Sequence, residues 1–232
     1  MRNLLTRGGI EFLAVLLGIS GSMYIDERRD DIALDKQIYD SFHSLKGELQ
    51  TNVNELVGFQ KYIDDRMNYF EVALNPDTMM LLTEKELDKM NIITSTNWGK
   101  KMNDRVFNSM EATGLIYKIK DDSLRGLIIE LFNKKYAKYH YLLDYDLTHI
   151  QKWDDISISN FIYRDDPKSY YWALDWENNQ NIQQYSHNVV FRNYLIANRA
   201  NKRLIKANVI TLIKDTKIVI DKINNIINNV FI

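Results

Sequence analysis

Apolar and polar residues alternate with a helical period through most of the chain. Between residues 26 and 75, apolar residues recur at intervals of three and four, and residues so spaced share one face of an α-helix. The stripe is narrow, which is typical of a bundle or coiled-coil seam. Because proline cannot continue the hydrogen-bond ladder, we predict that this helix ends near Asn75, before Pro76. The stripe consists of Ile38, Phe42, Leu45, Leu49, Val53, Leu56, Ile63, Met67 and Phe70.

The rest of the chain predicts two more long helices and a short helical insert. Residues 83–120 have the pattern of short helices and turns, with a capping box at Thr83 and Glu86 and a C-terminal cap at Gly114. A second long helix starts at Asp122 or Ser123 and runs to about residue 162, and a third covers about 184–230. No segment has convincing strand alternation. We therefore predict an all-α domain over residues 26–232, an elongated antiparallel bundle of three long helices.

Residues 8–25 form an apolar segment with a charged flank on each side. Arg7 precedes it and the charged run 26–31 follows it. Eighteen helical residues extend about 27 Å, just enough to cross a hydrocarbon core. A buried helix of a soluble domain and a cleaved signal peptide are the alternatives. We favour a retained transmembrane helix that binds membrane lipid.

The flanking arginines leave the membrane orientation nearly undecided, and the length of the N-terminal tail favours one orientation. Arg2 and Arg7 precede the span, and Arg28 and Arg29 follow it, so the positive-inside count is nearly balanced. A short N-terminal tail before a large domain usually stays inside. We predict a single-pass protein of a bacterial inner membrane, with residues 1–7 in the cytoplasm and the bulk of the chain in the periplasm.

Two features of the predicted span go beyond anchoring. Ala14, Gly18 and Ser22 recur every four residues and form a small-residue face that a second helix can approach closely, although small residues are common in membrane helices. Glu11 is an ionisable residue inside the span, which points to a partner, a water cavity or an ion path. Alternatively, Glu11 lies close enough to the interface to reach water or Arg7.

Composition and motifs exclude several function classes. Thirty Lys plus Arg balance 31 Asp plus Glu without a basic block, so nucleic-acid binding is not expected. The chain has no cysteine, which excludes disulfides and thiol catalysis. It has only 9 Gly and 2 Pro, which favours long helices. It also has no phosphate-binding glycine loop and no nucleophile elbow. Of the histidines, His140 comes nearest to a helical ligand pair, with Asp144 four residues later, and such a pair is usually a solvated face. We predict no catalytic residues, cofactor, metal or small-molecule substrate.

Aromatic residues are concentrated in the second half of the chain. Aromatic residues at helical spacing usually belong to the hydrophobic core, and the alternative is that they line a ligand groove. The residues concerned are Tyr136, Tyr139, Tyr141, Tyr145, Trp153, Trp172 and Trp176.

The predicted span begins with Gly9, Ile10 and Glu11, and three further short motifs follow it. They are the charged segment 26–29, the amphipathic segment 45–52 and the segment from Ser109 through Gly114 to Ile116. Together these motifs resemble a family of uncharacterised single-span membrane proteins frequent in Bacteroidota, in which the span starts with Gly-Glu-Ile rather than Gly-Ile-Glu. The resemblance implies a span followed by a helical extramembrane domain, and it implies that an acid at the start of the span is a family trait.

Two hypotheses about function follow. The first is a non-catalytic, membrane-anchored helical interaction or assembly subunit, either a homo-oligomer or bound to a membrane-protein partner in a larger envelope complex. The second is an accessory subunit of an ion-coupled channel or motor complex that uses the carboxylate of Glu11. Besides these two, a third hypothesis is sensing of an envelope ligand by an aromatic loop that contains Tyr170, Tyr171, Trp172 and Trp176.

Overall fold

The computed structural model describes residues 2–97, 99–164 and 174–229, and for residues 2–11, 14, 179 and 186 it describes the helical backbone alone. The prediction of an all-α chain is confirmed. Within the described residues the only β-type pairing is one isolated bridge, between Tyr163 and Leu174. The α-helices are α1 (Arg2–Ala73), α2 (Pro76–Met79), α3 (Glu84–Thr94), α4 (Arg105–Ala112), α5 (Asp122–Glu130), α6 (Ala137–Asn160), α7 (Asn179–His187) and α8 (Val189–Asn229).

Helix α1 is one uninterrupted helix of 72 residues, so the boundary predicted between residues 25 and 26 is not a break in the helix. It ends at Ala73, two residues before the predicted end. The side chain of Asn75 accepts hydrogen bonds from the backbone of Asp77 and Thr78, and it thereby caps α2. Pro76 is the first residue of α2, where its missing N–H costs nothing.

The insert between α1 and α5 has the predicted caps. The Glu86 carboxylate accepts hydrogen bonds from the Thr83 backbone (2.8 Å) and hydroxyl (2.7 Å), which confirms the capping box of α3. Helix α4, Arg105–Ala112, is one of the short helices predicted within residues 83–120. It is followed by Gly114 in the left-handed conformation (φ 71°) and by a 3₁₀ turn, Leu115–Lys118. Glycine adopts this conformation without a steric penalty.

The second long helix starts at Asp122, as predicted, and ends at Asn160. The Asp121 carboxylate caps it by accepting the Leu124 N–H at 2.9 Å. A π-helical segment, Leu131–Tyr136, joins α5 to α6.

The third predicted helix is divided in two. The prediction started it at about residue 184, whereas α7 ends at His187 and α8 begins at Val189. Asn188 between them has an extended backbone. Its side-chain oxygen accepts the Val190 and Phe191 N–H groups, so it caps α8.

The three long helices do not all alternate in direction. Helix α8 runs antiparallel to α1 and to α5–α6, whereas α1 and α5–α6 run parallel. The cause is the insert, which returns along α1 before α5 begins. The cross-helix contacts that fix these directions are Glu71 with Arg199, Asp64 with Lys206, Lys135 with Asp215, Ser123 with Lys222 and Asp35 with Lys120.

The apolar stripe of α1 packs within the chain. All of its residues from Ile38 to Phe70 are buried except Met67, which is half-buried against the same core. Helix α8 packs against α1, and its own buried residues include Val209, Leu212 and Ile223. A narrow stripe of this kind is compatible with a bundle or with a seam between chains. In this chain the stripe packs inside the bundle.

Candidate functional site

The N-terminal part of α1 projects from the bundle. Every described side chain from Phe12 to Ala33 is exposed, and burial begins only at Leu34 and Ile38. The projecting part is rich in large apolar residues that have no core to cover them. They are Phe12, Leu13, Val15, Leu16, Leu17, Ile19, Met23, Tyr24, Ile25 and Ile32, with exposures of 47–70%.

The predicted helix-contact residues lie on this projecting part. Gly18 and Ser22 are exposed, and a Cβ placed on Gly18 meets no atom within 4 Å. The Ser22 hydroxyl donates to the carbonyl of Ile19 at 2.9 Å, one turn earlier in the same helix. The side chains of Ala14 and Glu11 lie outside the described residues, so the predicted ion path stays a prediction.

The predicted transmembrane helix is not supported by a search of the described residues. Among them, no helix combines the length and apolar character needed to cross a membrane. The predicted span begins at residue 8, within the part of α1 whose side chains are not described. It therefore stays a prediction.

His140 has a structural partner. Its Nε2 accepts the backbone N–H of Met102 at 2.9 Å, while Asp144 forms an exposed ion pair with Lys101 at 3.1 Å. Burial, followed by the nearby Lys101 charge, lowers the pKa of His140 and keeps the imidazole neutral. Asp144 therefore lies on a solvated face as expected, whereas His140 is half-buried. No group of three or more His, Cys or carboxylate ligands is found in the part of the chain that is described.

The aromatic residues divide between core and surface. Tyr136, Tyr139, Trp153 and Trp176 are buried, whereas Tyr141 and Tyr145 are exposed. The Trp176 indole N–H donates to the Asp88 carboxylate at 2.7 Å, which fixes the chain after Leu174 to α3. Tyr170, Tyr171 and Trp172 lie outside the described residues.

A buried ion pair lies between α6 and α8. Lys202 Nζ is 2.5 Å from Asp146 Oδ2, and each side chain is 1% exposed. Lys202 also donates to the Thr96 carbonyl at 3.1 Å, and Asn201 donates to Asp146 Oδ1 at 2.8 Å. The pair therefore ties α6, α8 and the end of α3 together.

A second polar cluster joins α1 to α4 and to the segment that leads into α4. The Asn52 amide donates to the Asn103 carbonyl (2.7 Å) and accepts the Asn103 N–H (3.0 Å). One turn earlier on α1, the Glu48 carboxylate accepts the Val106 N–H at 3.1 Å, in the first turn of α4. Burial raises the pKa of Glu48, and hydrogen bonds from the backbone of α4 oppose that effect. These contacts hold α4 against α1.

Neither cluster was predicted from the sequence, although a signal for the buried Lys202 was present. The apolar spacing of α8 at Ile205, Val209 and Leu212, continued backward with the same intervals, falls on Lys202 and Asn198. A polar residue at a core position is a marker for a buried network.

Comparisons with protein-family models, with curated proteins and with solved structures found no match to this chain. The resemblance to the single-span family stays a prediction.

Proposed function

We propose that this protein is a non-catalytic, membrane-anchored interaction or assembly subunit. In this proposal residues 8–25 cross a bacterial inner membrane, residues 1–7 lie in the cytoplasm, and the helical bundle lies in the periplasm. The bundle and the span offer binding surfaces for a second copy or for a membrane-protein partner.

The exposure of the apolar part of α1 carries the proposal. A run of large apolar side chains on a projecting helix is costly in water, at about 25 cal/mol per Å² of apolar surface. Contiguous exposed apolar surface marks a contact with a membrane or with another protein. A lipid bilayer would cover the side chains from Phe12 to Ile25 on all faces of the helix, which a single partner helix would not.

The polar groups in this part of α1 support the same proposal. In lipid every polar group needs an internal partner, and the Ser22 hydroxyl has one in the carbonyl of Ile19. The open face at Gly18 allows the backbone of a second helix to approach. We therefore assign the Ala14, Gly18 and Ser22 face to helix contact.

Membrane fractionation tests the anchor. The full chain is expected in the membrane pellet after an alkaline wash. The double variant Leu16→Arg/Leu17→Arg is expected in the supernatant, because an arginine at the centre of a span costs about 3 kcal/mol. Leu204→Arg, a change of the same kind on an exposed position of α8, is the matched control and should stay in the pellet. A wild-type chain that is released by the wash would refute the anchor.

The absence of cysteine allows clean tests of sidedness and assembly. A single cysteine at the exposed Lys217 should react with a membrane-impermeant maleimide in intact spheroplasts, and a cytoplasmic bundle would not react. In membranes, Ser22→Cys should form a disulfide-linked dimer under mild oxidation. Ser20→Cys, on the opposite face of the helix, is the matched control. Equal cross-linking of the two variants would exclude the proposed helix-contact face.

A further inference from the structure

A polar groove lies between α1 and the segment that contains α4 and the 3₁₀ turn. Two adjoining cavities of about 450 and 340 Å³ form it, and they share Asp40, Ser41 and Ser109. Along α1 the groove extends from Leu34 to Ser44, which corresponds to about 15 Å of helix.

The charges along the groove follow a simple order. Arg105 lines one end, Asp40 lies in the shared middle, and Lys118 lines the other end. All three are exposed, and within the described residues none of them forms a side-chain ion pair or hydrogen bond. The order is therefore positive, negative, positive, with each charge available to a ligand.

The groove walls between these charges are uncharged. The hydroxyls of Ser41 and Ser109 and the amide of Gln37 also have no hydrogen-bond partner within the described part of the chain. Leu34 and Leu115 add a small apolar surface at the Lys118 end. Among the described residues, no aromatic side chain lines the groove. A nucleobase or the apolar face of a sugar would therefore find no aromatic ring there on which to stack.

We propose that this groove binds an extended segment of a partner protein whose side chains alternate in the order acidic, basic, acidic. An extended chain rises about 3.4 Å per residue, so five residues match the length of the groove. Alternate side chains of such a segment point to the same side. The first and fifth would then face Arg105 and Lys118, and the third would face Asp40. The serine hydroxyls and Gln37 would bind the peptide backbone.

This inference rests on the proposed role as an interaction subunit and not on the membrane anchor. Peptide binding is measured on the purified full chain in detergent, so failure of the fractionation experiment and failure of this one are separate results.

The experiment uses fluorescence anisotropy with a labelled acetyl-Glu-Ser-Lys-Ser-Glu-amide peptide. Saturable binding that weakens with added salt is expected. The charge-inverted peptide acetyl-Lys-Ser-Glu-Ser-Lys-amide should bind at least about tenfold more weakly, which is the size expected for a few exposed ion pairs. The same loss is expected for the variant Arg105→Gln/Lys118→Gln with the original peptide.

The matched control is Lys138→Gln/Lys217→Gln, which removes the same charge from exposed positions outside the groove. It should bind like wild type, and circular dichroism should show that both variants keep the wild-type helix content. Three results would each overturn the proposal: no saturable binding to wild type, equal binding of the two peptides, or an equal loss in the control variant.

Discussion

The Lys202 ammonium lies 2.5 Å from the Asp146 carboxylate, with both side chains sealed inside the bundle. The pair joins the middle of α8 to the middle of α6. Within the described residues, each charge lies directly against the opposite charge, and the Asn201 amide and the Thr96 carbonyl add hydrogen bonds, so the two residues depend on each other. This dependence gives the first prediction.

Removal of one partner of the pair should be far more costly than removal of both. Lys202→Met leaves the Asp146 charge buried and uncompensated, and we expect it to lower the free energy of unfolding by about 3–5 kcal/mol. The double variant Lys202→Met/Asp146→Leu should recover most of that loss. Urea denaturation followed by circular dichroism measures both.

The exposed pair Lys101–Asp144 provides the control, and Lys101→Met should change stability by less than about 1 kcal/mol. If the double variant were as unstable as Lys202→Met, the loss would come from packing rather than from the uncompensated charge.

The stability of the bundle should fall as the pH falls below about 6.5. His140 accepts the Met102 N–H and therefore has to be neutral. Its pKa in the folded state is lowered, chiefly by burial, so the unfolded chain binds a proton at a higher pH than the folded chain. The contribution of His140 is present above the unfolded pKa and is lost as the pH falls through the folded pKa.

Thermal unfolding between mildly acidic and neutral pH checks this dependence. His140→Gln should flatten the acid side of the profile, whereas His43→Gln, at an exposed position on α1, should leave it unchanged. An unaltered profile in His140→Gln would mean that another group causes the acid sensitivity.

Asn52 should fix the chain segment that leads into α4. Its amide pairs with both backbone groups of Asn103, and Asn52→Leu leaves these groups without a partner. We expect a loss of about 2 kcal/mol and faster hydrogen exchange at Asn103.

Asn54→Leu is the control for this effect, because Asn54 is exposed two residues later on the same helix. If exchange at Asn103 stayed slow in Asn52→Leu, backbone contacts elsewhere would be sufficient to hold the segment.

Two glycines should respond to alanine in opposite directions. Gly114 has a positive φ of 71°, so Gly114→Ala should cost about 1 kcal/mol. Gly47 lies on the exposed side of α1 with no atom near an added Cβ, and Gly47→Ala should stabilise by about 0.5–1 kcal/mol. Urea denaturation of each variant beside the wild type measures the sign of the change in the free energy of unfolding. If Gly47→Ala were destabilising, Gly47 would contact another molecule, because no atom of the described chain lies near an added Cβ.

The helix ends were predictable where a cap residue marks them. The capping box of Thr83 and Glu86 and the C-terminal cap at Gly114 are both as predicted. Capping is a contact between residues three or four apart, so it can be predicted from a short stretch of sequence. The division of the third long helix at Asn188 was not predicted. Asparagine is tolerated inside helices, and only the packing of α7 and α8 makes its side chain a cap rather than an interior residue.

The narrow stripe on α1 was predictable as a buried seam, but its partner was not. Periodicity shows that one face is covered, and it contains no information on whether the cover is the same chain or another. The partners of buried polar residues such as Asn52 and Lys202 could not be predicted either, because the groups that bind them are about 50 residues or more away in the sequence.

Local sequence patterns were sufficient to predict that the chain is helical, approximately where its long helical segments lie and which face of α1 is covered. These properties follow from contacts between residues within one or two turns. Tertiary structure alone decided that α1 and α5–α6 run parallel, that the stripe packs against α8 of the same chain, and that Lys202 meets Asp146. These outcomes depend on the path of the insert through space, which brings together residues that no local pattern relates.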